Sequence, residues 1–379
     1  MRVGVIGAGS MGAGIAQVAS TAGCDVDIFD QSENACQKAL EKLEKILTRL
    51  IEKGRINQAE KESVLGKINI VSDLNKLKDA DLVIEAIIEN EKIKKELFSQ
   101  LSKLVSKHCI IATNTSSLSV TNLASVCDYP ERFIGIHFFN PAPLMPLVEI
   151  VPALQTDNEW TNEVYQIIKS WNKSPVVAKD TPGFIVNRIA RPFYGESLRI
   201  FEEGLADFIT IDQSLKIIGG FKMGPFELMD FIGNDVNYAV TESVFKAFYY
   251  DPRYKPSFTQ KQYAEANWLG RKTNKGYYDY SKDYSYSDVD LDKNLANMIV
   301  NRVLVMLINE AVDALYLGVA SEEDIEKAMT KGVNYPKGLI EWGRERTFSW
   351  CVSQLDELYG KYHEDRYRCS PLLRQLANS

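Results

Sequence analysis

The stretch Arg2–Gly12, RVGVIGAGSMG, decides the fold of the first half of this chain. An apolar strand leads directly into Gly7, Gly9 and Gly12, which are spaced as G-x-G-x-x-G. In such a motif the first glycine allows a tight turn, the second lets a pyrophosphate approach the backbone, and the third lets helix and strand pack closely. The sequence therefore predicts a Rossmann-type dinucleotide-binding domain, with a helix over residues 11–21 whose amino end faces the phosphates.

A carboxylate after the second strand indicates which dinucleotide is bound. Residues 24–29 form this strand, and Asp30 follows it at 18 positions past Gly12 (30 − 12). That distance is close to the spacing expected of a ribose-binding acid. An acid at this place favours NAD, because its charge repels the 2′-phosphate of NADP. The glycine pattern alone is weak evidence, but strand, helix, strand and acid follow in order, so we predict NAD as the cofactor.

Polar residues stand where several predicted strands end. Further strands are predicted over residues 68–71, 81–86, 109–113 and 133–136. Ligands of open α/β sheets bind outside the carboxyl ends of the strands. The residues at these ends are Asp30, Glu85, Ser116 and His137. Their shared placement predicts one site at this edge of the sheet.

A histidine and a glutamate in residues 132–152 are the candidate chemistry of that site. His137 is one of three histidines, and Glu149 lies between Val148 and Ile150 in an apolar run. A carboxylate is costly to bury unless a partner pairs with it. A His–Glu pair beside a nucleotide site is a general base with its orienting carboxylate. The alternative is a satisfied histidine and an edge-strand glutamate, which the stretch by itself favours; the placement of His137 beside other polar strand ends favours the pair.

Composition and charge exclude several other classes of protein. A chain of 379 residues is long enough for two or three domains. The net charge of −7 gives no electrostatic support for a nucleic-acid partner. No apolar run approaches 18 residues and the chain starts with a strand, so we expect neither a membrane span nor a targeting segment. The six cysteines show no CxxC or metal-ligand spacing, which indicates reduced thiols in the cytoplasm and no metal site.

Several motifs together resemble one known family. The chain contains GAGSMG, DLVIEAIIEN, TNTSSLS, HFFNP, DTPGFIVNR, MGPFELMD and GRKTNKGYYDYS in this order. Over essentially its whole length it is similar to the L-3-hydroxyacyl-CoA dehydrogenase family. The resemblance implies reversible, NAD-dependent oxidation of L-3-hydroxyacyl-CoA to 3-ketoacyl-CoA, in fatty-acid β-oxidation or related acyl-CoA metabolism. It also implies that an all-α C-terminal domain of the 6-phosphogluconate-dehydrogenase-like type follows the α/β domain.

The same resemblance assigns roles to individual residues. His137 is implied as the catalytic base and Glu149 as its partner, while Ser116 and Asn187 hydrogen-bond the substrate. The implied cofactor contacts are Gly7, Gly9, Ser10, Met11, Gly12, Asp30, Glu89, Lys94, Asn140 and Lys272. A helical hairpin over residues 33–65 is implied to hold the CoA moiety, with a contribution from Lys53. Ile46 replaces a small hydroxyl residue common in the family, so we expect the contacts that bind CoA to differ at this position.

These residue types suit the chemistry of alcohol oxidation. The reaction removes a hydride and the hydroxyl proton, and a neutral imidazole can accept that proton. A carboxylate fixes the imidazole tautomer and stabilises the imidazolium, and Ser116 and Asn187 can hold the reacting oxygen and the thioester carbonyl. A Ser–His–Glu hydrolase is disfavoured because no G-x-S-x-G elbow is present. The remaining alternatives are an oxidoreductase of a non-CoA hydroxy acid and a non-enzymatic nucleotide-binding module, which predicts a lost base.

The second half of the chain contains an internal repeat. The tetrapeptide IVNR at Ile185–Arg188 recurs at Ile299–Arg302, an offset of 114 (302 − 188). Further pairs are Gly204 with Gly318 at the same offset, and Asp212 with Asp324 and Gly220 with Gly332 at 112 (324 − 212). We therefore predict an NAD-binding domain over 1–180, a first helical domain with the substrate cleft over 181–284, and a second helical copy over 285–379, joined by a polar linker at 281–290.

The repeat predicts how the helical copies assemble. Single-repeat members of the resembled family form dimers through the helical domain, and an isologous contact needs two similar surfaces. The second copy is expected to cover the first copy's dimer face as an internal pseudo-dimer with one active site. The alternative is an appended domain that leaves that face free. Any homo-oligomer is expected to use another surface, and Asn301, the counterpart of Asn187, is interpreted as structural.

Overall fold

A computed structural model of the protein describes residues 1–281 and 290–379. Residues 282–289, most of the predicted linker, lie outside the described part of the chain. The described residues form two units, Met1–Phe184 and Ile185–Ser379.

The first unit is built on an eight-stranded sheet with the order β3-β2-β1-β4-β5-β6-β7-β8. The strands are β1 Arg2–Ile6, β2 Asp25–Phe29, β3 Ile68–Val71, β4 Leu82–Glu85, β5 Ile110–Thr113, β6 Phe133–Phe138, β7 Leu147–Pro152 and β8 Ser174–Val177. Strands β1 to β6 are parallel, β7 is antiparallel to β6, and β8 is parallel to β7. The first six strands have the Rossmann order 3-2-1-4-5-6, so the predicted dinucleotide-binding fold is confirmed.

The helices of the first unit include the predicted helix over 11–21 and the predicted helical hairpin over 33–65, whereas α5 was not predicted. They are α1 Ser10–Thr21, α2 Glu33–Glu52, α3 Gln58–Gly66, α4 Glu91–Leu104, α5 Val120–Ala124 and α6 Asn158–Ser170. The hairpin of α2 and α3 has strong start signals, because the Ser32 side chain caps α2 and Asn57 forms a capping box with Glu60. No element was predicted between β7 and residue 179, where the structure contains α6 and β8.

Helices make up most of the described part of the second unit. Its helices are α7 Val186–Ile189, α8 Arg191–Glu202, α9 Phe208–Ile217, α10 Pro225–Ile232, α11 Asn234–Ala247, α12 Phe258–Glu265, α13 Lys293–Tyr316, α14 Glu322–Gly332, α15 Leu339–Arg346, α16 Phe348–Tyr362 and α17 Pro371–Ala377. A turn region with two isolated β-bridges, Gly270 with Lys275 and Lys275 with Asp279, follows α12. Helix α13 packs against α8, α9, α15, α16 and α17. The unit is therefore organised around one central helix.

The central helix α13 bears on the expectation that the chain has no membrane span. Its 24 residues are long and apolar enough to cross a membrane by length and composition alone. This does not contradict the expectation, because polar side chains interrupt the apolar residues of α13 and most of the helix is buried. Of its most apolar window, 78% is buried inside the unit, which is typical of the core helix of a soluble protein.

Two buried carboxylates join residues on the two sides of the linker. Glu310 of α13 is fully buried and accepts hydrogen bonds from Arg188 Nε at 2.6 Å, Arg253 Nη1 at 3.1 Å and Tyr254 Oη at 2.5 Å. Both guanidinium groups also contact Asp313. Buried charges of this kind are stable only when they are paired and hydrogen-bonded.

The second cluster has a matching arrangement around Glu196 of α8. Glu196 accepts from Arg302 Nε at 2.6 Å and from Tyr367 Oη at 2.6 Å. Arg302 also binds both carboxylate oxygens of Glu203. Each cluster thus combines a glutamate from one side of the linker with an arginine and a tyrosine from the other.

Left-handed backbone positions recur along the second unit. Positive φ angles occur at Gly204 and Gly318 (68° and 61°), Gly220 and Asn334 (71° and 55°), and Gly233 and Thr347 (106° and 69°). Each pair is separated by 114 positions. The pairing of Gly220 with Gly332 at 112 was therefore wrong, because the residue that shares its backbone conformation is Asn334.

The predicted partner of Asp212 is corrected in the same way. Asp212 accepts from the backbone N–H groups of Phe226 and Glu227 at the start of α10. The carboxylate that does this at the start of α15 belongs to Glu326, 114 positions later, and not to Asp324. The buried Oδ1 of Asn301 has no partner among the described residues, and the structural role interpreted for Asn301 stays a prediction.

Candidate active site

The strand pair β6–β7 brings His137 and Glu149 together. Their antiparallel register sets the two residues directly opposite each other, so both side chains project from the same face of the sheet. His137 Nδ1 lies 2.7 Å from Glu149 Oε2, and the glutamate is fully buried. Strand β7 lies between β6 and β8, so the alternative of an edge-strand glutamate is wrong. With Nδ1 held by a carboxylate, Nε2 is the imidazole nitrogen that can accept a proton.

The loop after β5 holds Ser116 beside the strand that carries His137. Asn114 Oδ1 accepts a hydrogen bond of 2.8 Å from the backbone N–H of Phe138, which ties the loop to the end of β6. Glu89 accepts from the Ser116 backbone N–H at 3.1 Å and from the Thr115 hydroxyl at 2.5 Å. The loop is therefore fixed from two directions, and Ser116 has a defined backbone position at the carboxyl edge of the sheet.

The buried side chain of Lys94 supports this loop through Glu89. Lys94 is almost completely buried, and its ammonium lies 2.7 Å from Glu85 Oε1 and 3.0 Å from Glu89 Oε2. Burial acts to raise the pKa of Glu89, but the Lys94 ammonium and the Thr115 hydroxyl outweigh it and hold that pKa below its usual range. Glu89 is thus a carboxylate that anchors the loop. The cofactor contacts predicted for Glu89 and Lys94 stay predictions.

The glycine-rich turn after β1 fits a bound dinucleotide. Gly7 has a φ of 106°, and a Cβ there would lie 2.6 Å from the Ala86 carbonyl oxygen. A Cβ on Gly12 would lie 1.8 Å from the Gly7 carbonyl oxygen, so the fold itself requires both glycines. Gly9 has ordinary backbone angles and nothing within 4 Å of its Cβ position. The space left at Gly9 is what close approach of a pyrophosphate needs.

Asp30 is held rigidly at the end of β2. Its two carboxylate oxygens accept from the backbone N–H groups of Ala8 at 2.8 Å and Ser32 at 2.9 Å. The acid is thereby joined to the glycine turn. Ser10 and Met11 open α1, whose free N–H groups point towards the place where phosphates bind in this fold. These positions agree with the binding of NAD predicted from the sequence.

The other predicted residues lie at exposed positions of the first unit or in the second unit. Asn140 is exposed on the loop after β6, and Lys53 is exposed at the end of α2. Asn187 lies on α7, and Lys272 pairs with Asp235 at 2.8 Å. The roles predicted for these four residues stay predictions. Among the residues that the structure describes, no group of three or more His, Cys, Asp or Glu side chains could hold a metal ion.

Three residues that shape this site had no contact predicted from the sequence. Asn114 and Phe184 lie in the quoted motifs TNTSSLS and DTPGFIVNR, and Lys173 lies in none of them. Lys173 Nζ donates to the carbonyl oxygens of Ala142 and Met145 at 2.5 and 2.8 Å, which fixes the loop between β6 and β7. A lysine next to a short strand carries no sequence signal for such a contact.

Comparison with known proteins identifies the family. The model of the 3-hydroxyacyl-CoA dehydrogenase NAD-binding domain matches residues 2–181, and the model of the C-terminal domain of the same family matches residues 183–280 and 298–379. The chain belongs to the 3-hydroxyacyl-CoA dehydrogenase family. The predicted family, the NAD cofactor and the enzyme class are thereby confirmed.

Individual relatives of this family match the chain over different lengths. The 3-hydroxyadipyl-CoA dehydrogenase of Escherichia coli K12 is 36% identical over 99% of this chain and 97% of its own length. A crystal structure of 3-hydroxybutyryl-CoA dehydrogenase from E. coli K12 superposes with a TM-score of 0.95 at 36% identity, covering 100% of this chain and 98% of the other. A probable 3-hydroxybutyryl-CoA dehydrogenase of Deinococcus radiodurans is 42% identical over its whole length but matches only 74% of this chain.

Proposed function

We propose that this enzyme catalyses the reversible NAD-dependent oxidation of L-3-hydroxyacyl-CoA to 3-ketoacyl-CoA, with His137 as the general base. The observation that carries the proposal is the 2.7 Å contact between His137 Nδ1 and the buried carboxylate of Glu149. The similar proteins are named 3-hydroxybutyryl-CoA and 3-hydroxyadipyl-CoA dehydrogenase, which supports a CoA thioester as the substrate.

The residues of the chain supply the proton chemistry of this reaction. The glycine turn and Asp30 would hold NAD, which would supply the acceptor for the hydride lost from the carbon that carries the hydroxyl group. His137 Nε2 takes the hydroxyl proton, while the carboxylate of Glu149 holds the tautomer and stabilises the imidazolium that forms. Ser116 donates a hydrogen bond to the reacting oxygen, and Asn187 holds the thioester carbonyl. Glu89 and Lys94 keep the Ser116 loop in place for this contact.

A direct assay tests the proposal. The purified protein is mixed with acetoacetyl-CoA and NADH, and NADH absorbance is followed; a substrate series of increasing acyl length then defines the preferred chain. Replacing His137 by Gln should lower the rate by roughly 10²–10⁴-fold, the usual contribution of general base catalysis, while NADH binding stays intact. No turnover with any short or medium acyl chain, or a His137→Gln enzyme with half its activity, contradicts the proposal.

Binding of free CoA distinguishes this function from oxidation of a hydroxy acid without CoA. The hairpin of α2 and α3 is proposed as the CoA site, with Lys53 contributing at its exposed end. Ile46 of the same hairpin is also exposed. Its apolar side chain is proposed to contact the adenosine of CoA in place of the hydroxyl residue that is common in the family. Calorimetry should detect CoA binding that weakens in Lys53→Ala. Absence of binding to the wild-type protein favours a substrate without CoA.

We also propose that the helical part is a duplicated domain, with copies over 181–284 and 285–379 after an NAD-binding domain over 1–180. The constant 114-residue spacing of left-handed positions supports this, as does the match of the family's C-terminal model to two stretches. The paired clusters around Glu310 and Glu196 support an internal pseudo-dimer, because each joins the two copies by equivalent residues.

Truncation tests the pseudo-dimer. A chain that ends at residue 284 loses α13 and should expose apolar faces of α8 and α9, which leads to aggregation or to a new dimer. Light scattering of the full-length and truncated proteins measures the difference. A truncated chain that stays a soluble, active monomer contradicts the proposed role of the second copy.

For location we propose the cytoplasm, because all six cysteines are free and buried, as expected of a reducing compartment.

A further inference from the structure

The backbone of Phe184 is in a strained conformation. Its φ angle is 47°, in the left-handed region, and it follows Gly183 at a φ of 75°. Its N–H donates a hydrogen bond of 2.9 Å to the Thr181 carbonyl oxygen, which closes the turn. A bulky side chain is strained in this region, whereas glycine adopts it freely. A phenylalanine at such a place indicates that its ring has a task that glycine could not perform.

The ring of Phe184 packs beside the proposed catalytic base. Phe184 is 1% exposed, and its ring centroid lies 6.0 Å from that of the His137 imidazole, with the planes inclined by 60°. A second ring, Phe139, lies 4.5 Å from the imidazole at 51°. The imidazole therefore has two aromatic neighbours in addition to its hydrogen bond to Glu149.

The hydrogen bond alone does not define the plane of the imidazole. A single contact from Nδ1 to Glu149 fixes the position of one nitrogen, but the ring can still rock about that contact. Rocking moves Nε2, the atom that must meet the substrate hydroxyl. Packed aromatic rings remove this freedom, because inclined ring pairs have preferred geometry and interiors are densely packed. Strained residues persist where the surroundings determine them, and they concentrate at functional sites.

We propose that Phe184 is a positioning residue that fixes the plane of the His137 imidazole and so aims Nε2 at the substrate. The inference rests on the proposed function of His137 as the base. Phe184 acts through the imidazole and not on the substrate, so its loss should lower the rate of the chemical step and leave ligand binding unchanged. A merely structural role would lower stability and leave the rate per folded enzyme unchanged.

The test compares Phe184→Leu with Phe98→Leu. Phe98 is a matched control because it is also fully buried in the first unit and packs edge-to-face on Phe133 at 4.7 Å, away from the dyad. We expect Phe184→Leu to lower kcat by about 10–10²-fold, the effect of a misplacement of about 1 Å, with unchanged KM for acetoacetyl-CoA and unchanged NADH affinity. Phe98→Leu should lose comparable stability and keep its kcat.

A spectroscopic measurement accompanies the kinetics. The His137 Cε1–H resonance, assigned by its loss in His137→Gln, should shift in Phe184→Leu because the ring current of Phe184 is gone, and it should broaden because the imidazole moves. In Phe98→Leu the resonance should stay in place. If Phe184→Leu does not accumulate as folded protein, Phe184→Met makes the same comparison with a side chain of similar volume that lacks a ring.

The outcomes separate this inference from the proposed function. A Phe184 variant whose kcat falls no further than that of Phe98→Leu, or whose loss lies entirely in KM, overturns the positioning role. When this happens while His137→Gln is inactive, the base assignment stands and only the inference fails. If His137→Gln keeps its activity, both fail together.

Discussion

Replacing Glu149 by Gln removes the charge of the proposed dyad while keeping the shape of the side chain. The carboxylate is fully buried and lies 2.7 Å from His137 Nδ1. A glutamine amide can accept from Nδ1–H through its oxygen or donate to Nδ1 through its nitrogen, and the second arrangement puts the proton on Nε2. Imidazole in that tautomer cannot accept the substrate proton, and the amide cannot stabilise an imidazolium.

The size of the effect follows from this geometry. An orienting carboxylate of a catalytic histidine contributes up to about 10⁴-fold to kcat when its replacement permits the wrong tautomer. For Glu149→Gln we expect a fall of roughly 10²–10⁴-fold, equal to about 3–5 kcal/mol of lost transition-state stabilisation. The free energy of unfolding should stay the same or increase, because an amide is less costly to bury than a carboxylate. The variant should therefore keep or raise the melting temperature of the protein.

The assay measures kcat with acetoacetyl-CoA and NADH, with melting followed by circular dichroism. Glu159→Gln, the same substitution at an exposed position on α6, is the control and should behave as wild type. The double variant His137→Gln/Glu149→Gln should be no slower than His137→Gln alone, because residues that act as a unit are non-additive. A kcat within about threefold of wild type, or fully additive losses in the double variant, would refute a dyad at this site.

Three further predictions concern the cofactor, acid stability and the loop between β6 and β7. Asp30→Asn should raise kcat/KM with NADP relative to NAD, because the charge that repels a 2′-phosphate is gone, and a steady-state comparison of both cofactors checks this. Burial acts to raise the pKa of Glu310, but Arg188 and a second guanidinium hold that pKa below its usual value. The ionised Glu310 therefore stabilises the fold above about pH 4.3, and this stabilisation is lost as the pH falls further. In Glu310→Gln the melting temperature should fall less steeply with decreasing pH than in the wild type, and an equally steep fall contradicts this. Lys173→Met leaves the Ala142 and Met145 carbonyls without their half-buried donor and should lower the free energy of unfolding in urea by about 1–3 kcal/mol. The exposed Lys169→Met should cause no measurable change.

Local patterns predicted the parts of the site that lie close together in the sequence. The turn that contains Gly7 and Gly12 has few conformational solutions, because a side chain at either place would collide with backbone. His137 and Glu149 are 12 residues apart on neighbouring strands, so their pairing depends on one turn and one register. In such features the residues that the backbone geometry requires are the same residues that form the sequence motif. The Rossmann fold and the pairing of His137 with Glu149 could therefore be predicted from the sequence.

Contacts between distant elements were decided by the tertiary structure alone. The match of Gly220 to Asn334 depends on a shared backbone φ, which residue identity concealed because glycine and asparagine both adopt left-handed angles. Phe184 meets His137 only after the chain has completed β7, α6 and β8, and no periodicity along one helix or strand records that meeting. Sequence patterns report the spacing within an element, whereas sheet order and turn geometry determine which side chains from different elements touch. The residues that hold the base in place were therefore visible only in the folded chain.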